Sequence, residues 1–448
     1  MPTLSPYPSY RKTDLPWLAQ IPAYWEAKRL KFAAIINPSK TEIGHLSKNL
    51  EGSFLPMELV GEGTLTTDKT KTLEDVGQGF TYFRDGDVVV AKITPSFENG
   101  KGSIVYGLVN GIGFGTTELH VIRPSSQINK KFLYYLTISH DFRQIGAGMM
   151  QGTAGQKRVP DSFLIDYPIG YPPLAEQQAI AAYLDRQTAK IDALIAKKEH
   201  LLDLLAEQRA ILISQAVTKG LNPNVKMKDS SVAWLGQVPS HWEIKPLKYV
   251  AEIQTGLTLG QKYDHVQLVS RPYLRVANVQ DGYLDLDDIT EVKIPIEKSL
   301  RHKLEKGDVL MTEGGDFDKL GRGYVWEEQI KDCLHQNHIF AVRPDQNYLD
   351  SYFLAALMTS SLGKNYFTST SQQTTNLATT NSTKLKSFSV LLPPIQEQKD
   401  ILAYFDKQTK RLADLMSKVE TAIERLREYR AALISSVVTG KVQVKDEG

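Results

Sequence analysis

The 448-residue chain is 42% hydrophobic and carries 53 Lys and Arg against 51 Asp and Glu, a formal net charge of +2. That length leaves room for two or three cores, and near-neutrality gives no bulk signal for nucleic acid, so a DNA-binding face has to come from local clustering. A single cysteine, Cys333, excludes disulfides within the chain and any multi-cysteine zinc site. The lack of an apolar leader or of a run near ~18 apolar residues argues against export and membrane spanning and for the cytoplasm.

The chain opens on Trp17-Leu18-Ala19-Gln20-Ile21-Pro22-Ala23-Tyr24-Trp25 followed by Leu30-Lys31. These are packing residues by type, and they are expected to anchor the start of a domain against a helix. Short β-type runs and glycine turns follow, among them Val88-Val89-Val90, Gly102 to Tyr106 and His120-Val121-Ile122, and then a helical segment near Lys131 to Ser139. Pro172 to Val217 reads as one long helix: Pro172-Pro173 stop the preceding strand, and Glu176 falls in the first turn, where the helix dipole favours a carboxylate. Its apolar seam runs through Ile180, Leu184, Ile191, Leu194, Leu201, Leu205 and Leu212, interrupted by Gln187, Lys198 and Gln208. Steps of four and three over this length define a coiled-coil seam.

The second half repeats the first. Trp234-Leu235-Gly236-Gln237-Val238-Pro239-Ser240-His241-Trp242 with Leu247-Lys248 matches the opening signature. Tyr273 to Val276, Asp308 to Met311 and Ile339 to Val342 supply β-type runs, and Ser351 to Ser360 the helical segment. A shared skeleton joins the halves: Gly86-Asp87-Val88 with Gly307-Asp308-Val309, Gly100-Lys101-Gly102 with Gly321-Arg322-Gly323, and Arg123-Pro124 with Arg343-Pro344. Pro393 to Val438 is the second copy of the helix, with its seam at Ile401, Phe405, Leu412, Leu415, Val419, Ala422, Leu426, Tyr429 and Leu433, broken by Gln408. Each helix, at ~1.5 Å per residue, is about 70 Å long and has to pair.

The expected fold class is therefore α+β. Two similar mixed α/β domains, residues 1–171 and 221–392, alternate with two long helices, 172–220 and 393–440, ahead of a tail at 441–448. If the ends of each compact domain lie close together, the second helix starts where the first stops. The helices then form an antiparallel coiled coil with pseudo-twofold symmetry, the symmetry of a DNA-binding dimer built into one chain.

No catalytic motif is evident. Asn37-Pro38-Ser39-Lys40 lacks the second proline and the aromatic of the amino-methyltransferase motif that stacks a flipped base. Gly111-Ile112-Gly113-Phe114-Gly115 precedes a β-type run and reads as turn glycines, not a nucleotide loop. Asp288, Glu291 and Lys293 are spaced too tightly for a strand-borne metal pair and read as surface charge, and no metal site is expected. The loops do carry residue types suited to base edges and phosphates. In the first half these are Thr94, Lys101, Thr116, Thr117, Gln156, Lys157 and Arg158; in the second, Arg275, Asn278, Arg322, Gln336, Asn337, His338 and Asn376. Two copies that keep a frame and vary its loops suit one task performed on two different targets.

The paired Trp-Leu-x-Gln-x-Pro-x-x-Trp openings, the Pro-Pro-x-x-Glu-Gln helix starts and the run Asp85 to Pro95 with Glu98-Asn99-Gly100-Lys101 resemble the specificity subunits of type I restriction-modification systems. The resemblance covers nearly the whole chain. It implies two target-recognition domains that read a bipartite site on double-stranded DNA, and no catalysis by the chain itself. It also implies two methylation subunits that use S-adenosylmethionine and an ATP- and magnesium-dependent nuclease/translocase subunit, with none of these cofactors bound here. The competing reading is a coiled-coil scaffold that joins two protein-binding domains without DNA.

Overall fold

The two duplicated stretches fold as helices Leu174–Lys219, the central helix, and Ile395–Val438, the C-terminal helix. In the computed structural model, residues 4–76, 79–153, 155–232, 234–260, 263, 265–315, 320–373 and 378–444 are described. The chain divides into two compact units, Met1–Glu199 with Glu420–Gly448, and His200–Val419. Each unit holds one α/β domain, the start of one long helix and the end of the other.

The helix starts show why their motif is duplicated. Glu176 accepts from the indole Nε1 of Trp25 at 3.2 Å and from the hydroxyls of Tyr7 at 2.8 Å and Tyr24 at 2.9 Å. In the second unit Glu397 takes Nε1 of Trp242 at 3.2 Å, and its other oxygen lies 2.8 Å from Nε2 of His241. The neighbouring glutamines are fully buried. Gln177 donates to the Pro172 carbonyl and accepts from the backbone of Asn129, the residue that caps helix Lys130–Ile138. Gln398 donates to Pro393 and accepts from Asp350, the cap of Ser351–Thr359. Glu thus ties the opening tryptophan to the long helix and Gln ties the domain's own helix cap to it, so each buried glutamine amide both donates and accepts. Trp25 and Trp242 are the anchors expected from the sequence, but Trp17 is not: it stands 54% exposed at positive φ. Its counterpart Trp234 stacks on Phe388 at 5.6 Å.

Antiparallel pairing is visible inside each unit. In the first, Arg427 pairs with Glu199 and Arg430 with Asp192, both at 2.9 Å. In the second, Arg209 and Leu212 line one small cavity with Phe405, Gln408, Thr409 and Leu412. Higher numbers on one helix meet lower numbers on the other throughout. The helix ends require glycine: Gly220 and Gly440 both adopt positive φ, as a left-handed helix stop demands, and a Cβ on either would press on Trp242 or Trp25.

The seam itself differs from the sequence reading in one of its two rows. Leu184, Ile191, Leu205, Leu412, Val419 and Leu433 are buried, with Leu212, Phe405 and Leu426 partly so, and Ile180 and Ile401 pack into the domains. Leu194, Leu201, Leu415 and Tyr429 are instead exposed at 43%, 39%, 42% and 55%. The second row runs one residue later, through Thr188, Ile195, Leu202, Met416, Ile423 and Arg430, all buried or half-buried. Either row completes a four-three pattern with the first. Ala181, Thr188 and Ala216, small residues that read weakly in sequence, lie buried in this second row. Cysteines at Ile195 and Leu426 are therefore expected to crosslink on oxidation, measured by mobility on non-reducing gels. Preferential crosslinking of Ile195→Cys to Met416→Cys, the repeat-matched position, would mean parallel helices.

Each domain is built round a four-stranded antiparallel sheet of the same order. In the first it runs Ala34–Ile36, Leu119–Pro124, Val88–Ala91, Gly102–Ile104. In the second it runs Ala251–Thr255, Ile339–Pro344, Val309–Thr312, Gly323–Val325. The continuous apolar runs are explained by burial on both faces: Val88, Val89, Val90 and Ala91 are all at 0% exposure. Gly113 and Gly115, expected in a turn, lie inside strand Ile112–Gly115, where a Cβ would collide with the Phe83 ring. They are strand glycines that admit an aromatic neighbour. The skeleton residues form a matched ion pair: Asp87 holds Nε and Nη2 of Arg123 at 2.8 Å each, and Asp308 holds the same atoms of Arg343 at 2.8 and 2.9 Å. Among the described residues no helix is long and apolar enough to cross a membrane.

Candidate nucleic-acid interface

In both domains the strand Val88–Ala91 or Val309–Thr312 ends at the same loop frame. Lys92 N–H donates to the Glu118 carbonyl at 2.9 Å, and Val159 N–H donates to the Lys92 carbonyl at 2.9 Å. In the second domain Glu313 N–H donates to His338 at 2.9 Å, and Thr380 N–H to Glu313 at 2.8 Å. Three segments meet there in each case: the loop after the strand, the turn before the next strand, and a hairpin beyond the paired helices. Backbone bonds fix the meeting point, and the side chains on it differ between halves.

The first domain brings its sequence-predicted residues together. Thr94 joins the hairpin through its N–H to the Lys157 carbonyl at 3.0 Å, and its hydroxyl donates to Glu98 at 2.8 Å. Thr116 accepts from the backbone of Glu118 at 3.2 Å, closing the turn that carries the exposed Thr117. Arg158 exchanges backbone bonds with Gln151 at 2.8 and 2.9 Å, and its guanidinium grips Glu118 through Nε and Nη2, each at 2.8 Å. That hydrogen-bonded pair holds the Glu118 carboxyl below its ordinary range. Gln156 and Lys157 are exposed, and Lys101 sits half-buried where its carbonyl accepts from Ala91. Among the described residues neither lysine makes an ion pair. Beneath the loops His120 is completely buried, its Nε2 2.9 Å from the Val159 carbonyl, and desolvation lowers its pKa to about 4.

The second domain gathers most of its set, with one correction. Gln336 accepts from the backbone of Val276 at 3.2 Å, Asn337 N–H donates to Leu257 at 3.1 Å, and His338 Nδ1 lies 2.6 Å from Glu313. Arg322 donates to Gln280 at 3.2 Å, and Arg275 to Asp288 at 2.6 Å. Asn278 does not belong to an open face. It is 3% exposed, accepts from the Arg275 backbone and donates to the carbonyls of Asp285 and Asp288, which leaves its amide saturated as the clasp of that loop. Asn376 lies outside the described residues. Asp288 projects at the surface, its side chain 86% exposed, as charge alone would have it.

Lys92, Glu118, Gln280 and Glu313 belong to these clusters and were missed from sequence. The signal was available: aligning the two halves on Gly-Asp-Val and Arg-Pro sets Lys92 opposite Glu313 and Glu118 opposite His338. Among the described residues no group of three His, Cys, Asp or Glu stands together as a metal site.

Comparison with known proteins gives this geometry a context. The family model for the type I restriction modification DNA specificity domain matches residues 58–203 and 239–425, one stretch in each half. The chain is 40% identical over 210 residues to the EcoAI specificity subunit of Escherichia coli, 46% of this chain and 34% of that one. It therefore matches about a third of the length of that relative. Against the EcoKI specificity subunit of E. coli K12 it is 26% identical over 328 residues, 72% of this chain and 68% of the other. Among solved structures, the HsdS subunit of Thermoanaerobacter tengcongensis aligns over 94% of this chain and 98% of its own, at 17% identity and TM-score 0.54. A chain from work on complex assembly and conformational transition of the type I R-M system aligns over 93% and 98%, at 18% identity and TM-score 0.67. With both halves matched by one family model on a duplicated frame, the chain belongs to the type I restriction-modification DNA specificity family.

Proposed function

We propose that this chain is the DNA sequence-specificity subunit of a type I restriction-modification complex. In this reading the domains at residues 1–171 and 221–392 each recognise one half of a bipartite site on double-stranded DNA. The helices at 172–220 and 393–440 offer repeated surfaces to two methylation subunits, and a nuclease/translocase subunit joins for cleavage. S-adenosylmethionine, ATP and magnesium act in those partners, and this subunit catalyses nothing; the complex works in the cytoplasm. The observation that carries the reading is the pairing of one family model on both halves with loop clusters that occupy the same frame position and differ in side chains. A shared frame supplies the register on the duplex, and varied loops supply different base contacts.

The contacts assigned to the first half-site are Thr94, Lys101, Thr116, Thr117, Gln156, Lys157 and Arg158. Arg275, Arg322, Gln336, Asn337, His338 and Asn376 are assigned to the second. Exchange of Met1 to Tyr171 for the equivalent domain of a relative tests the reading. Methylome sequencing of a host that carries the chimaera with its methylation subunit should show one half of the modified sequence replaced and the other retained. Changes in both halves would contradict independent domains, and loss of all DNA binding by the unaltered complex would favour a protein scaffold.

A further inference from the structure

Arg158 is mounted as a fixed fork. Its backbone is pinned in both directions to Gln151, and the adjacent Lys157 carbonyl is tied to Thr94 in the loop that ends the central strand. Glu118 occupies Nε and one N–H of Nη2, and the Gln156 carbonyl takes one N–H of Nη1 at 3.1 Å. A guanidinium has five N–H groups. The two left over are one on each terminal nitrogen, and a pair of N–H groups on the terminal nitrogens has the spacing of O6 and N7 of guanine in a major groove. The side chain is 42% exposed, so this edge is open to a ligand.

A carboxylate on a surface that meets phosphates opposes binding unless its charge is already used. Glu118 is used completely by the fork, and the neutralised pair keeps geometry while giving up most of its pull on a phosphate. Lys157, next to it in the chain, and Lys101, in the loop that follows the central strand, make no ion pair among the described residues and suit the phosphates better. The second domain does not repeat the device: opposite Glu118 it has His338, and the acid stands instead opposite Lys92, as Glu313. On the reading that this family member recognises DNA, we propose that Arg158 reads a guanine in the half-site of the first domain, with Glu118 as its positioning residue.

The test uses the complex of this chain with its methylation subunits and the duplex that the complex methylates. Guanines in the half-site that follows an exchange of residues 1–171 are replaced one at a time by 7-deazaguanine, which lacks the N7 acceptor, and affinity is followed by fluorescence anisotropy. One replacement should weaken binding by the wild type about 10-fold. Arg158→Ala should abolish that difference at the same position and at no other, and Arg158→Lys, which keeps the cation but loses the rigid two-point fork, should shrink it. Glu118→Gln should shrink it with the salt dependence unaltered, which a merely structural role would not do. Unchanged preference at the second half-site certifies folding of each variant. Wild-type binding indifferent to every 7-deazaguanine, or variants that weaken all sequences equally, would overturn the assignment. Failure of the wild type to bind any duplex would remove the DNA reading itself, a distinguishable result.

Discussion

Under the proposed function, the affinity of the assembled complex for its duplex is expected to fall by about 10³–10⁵-fold between about 50 and 200 mM salt, the loss that accompanies release of counterions from 6–10 neutralised phosphates. A net charge of +2 cannot produce such a slope at long range, so it has to arise from lysines and arginines placed against the backbone. Lys101 and Lys157, like Lys92, are cations of the first loop cluster for which no ion pair is found among the described residues. Replacing both by alanine should lower the slope of log affinity against log salt by about two and leave the preferred sequence unchanged. Anisotropy titrations across that salt range decide it. A slope unaffected by the double substitution would place the phosphates elsewhere.

Asp87→Ala should cost the first unit about 3–5 kcal/mol, the usual effect of stripping one partner from a buried ion pair. Asp87 is 1% and Arg123 4% exposed, and the carboxylate also accepts from the backbone N–H of Arg84 at 2.9 Å. Its loss strands a guanidinium inside the sheet, although Glu42 retains one contact. Asp308→Ala should cost less, because the Arg343 side chain is 32% exposed and recovers water. Since the chain has two units, a single unfolding midpoint would blur the effect. Hydrogen exchange by mass spectrometry resolves it: peptides from residues 1–199 should lose protection in Asp87→Ala, with those from 200–419 little changed. Equal loss in both would mean that the units unfold together.

Much of this architecture was legible because it is written twice. A helix start needs its proline, its first-turn carboxylate and its seam in consecutive residues, so local sequence determined both long helices, their duplication and their antiparallel pairing through the order of elements. The runs Val88-Val89-Val90 and Ile339 to Val342 likewise read as β-type segments, since short runs rich in β-branched and aromatic residues between turn residues favour strands. Family membership followed from motifs that survive in both copies.

Tertiary structure decided what depends on a partner distant in sequence. Leu194 and Leu201 read as seam residues, and only the facing helix shows that Ile195 and Leu202 lie inward, because two rows fit one pattern and packing selects between them. Asn278 has the residue type of a base reader, but three backbone groups of its own loop consume its amide. Gly113 and Gly115 look like a turn until Phe83 is set over them. The Glu118–Arg158 fork joins residues forty positions apart, and Asp87–Arg123 thirty-six. Periodicity reports which face a residue occupies, and cannot report the group opposite; that group is what turns a conserved-looking frame into two differently equipped loop clusters.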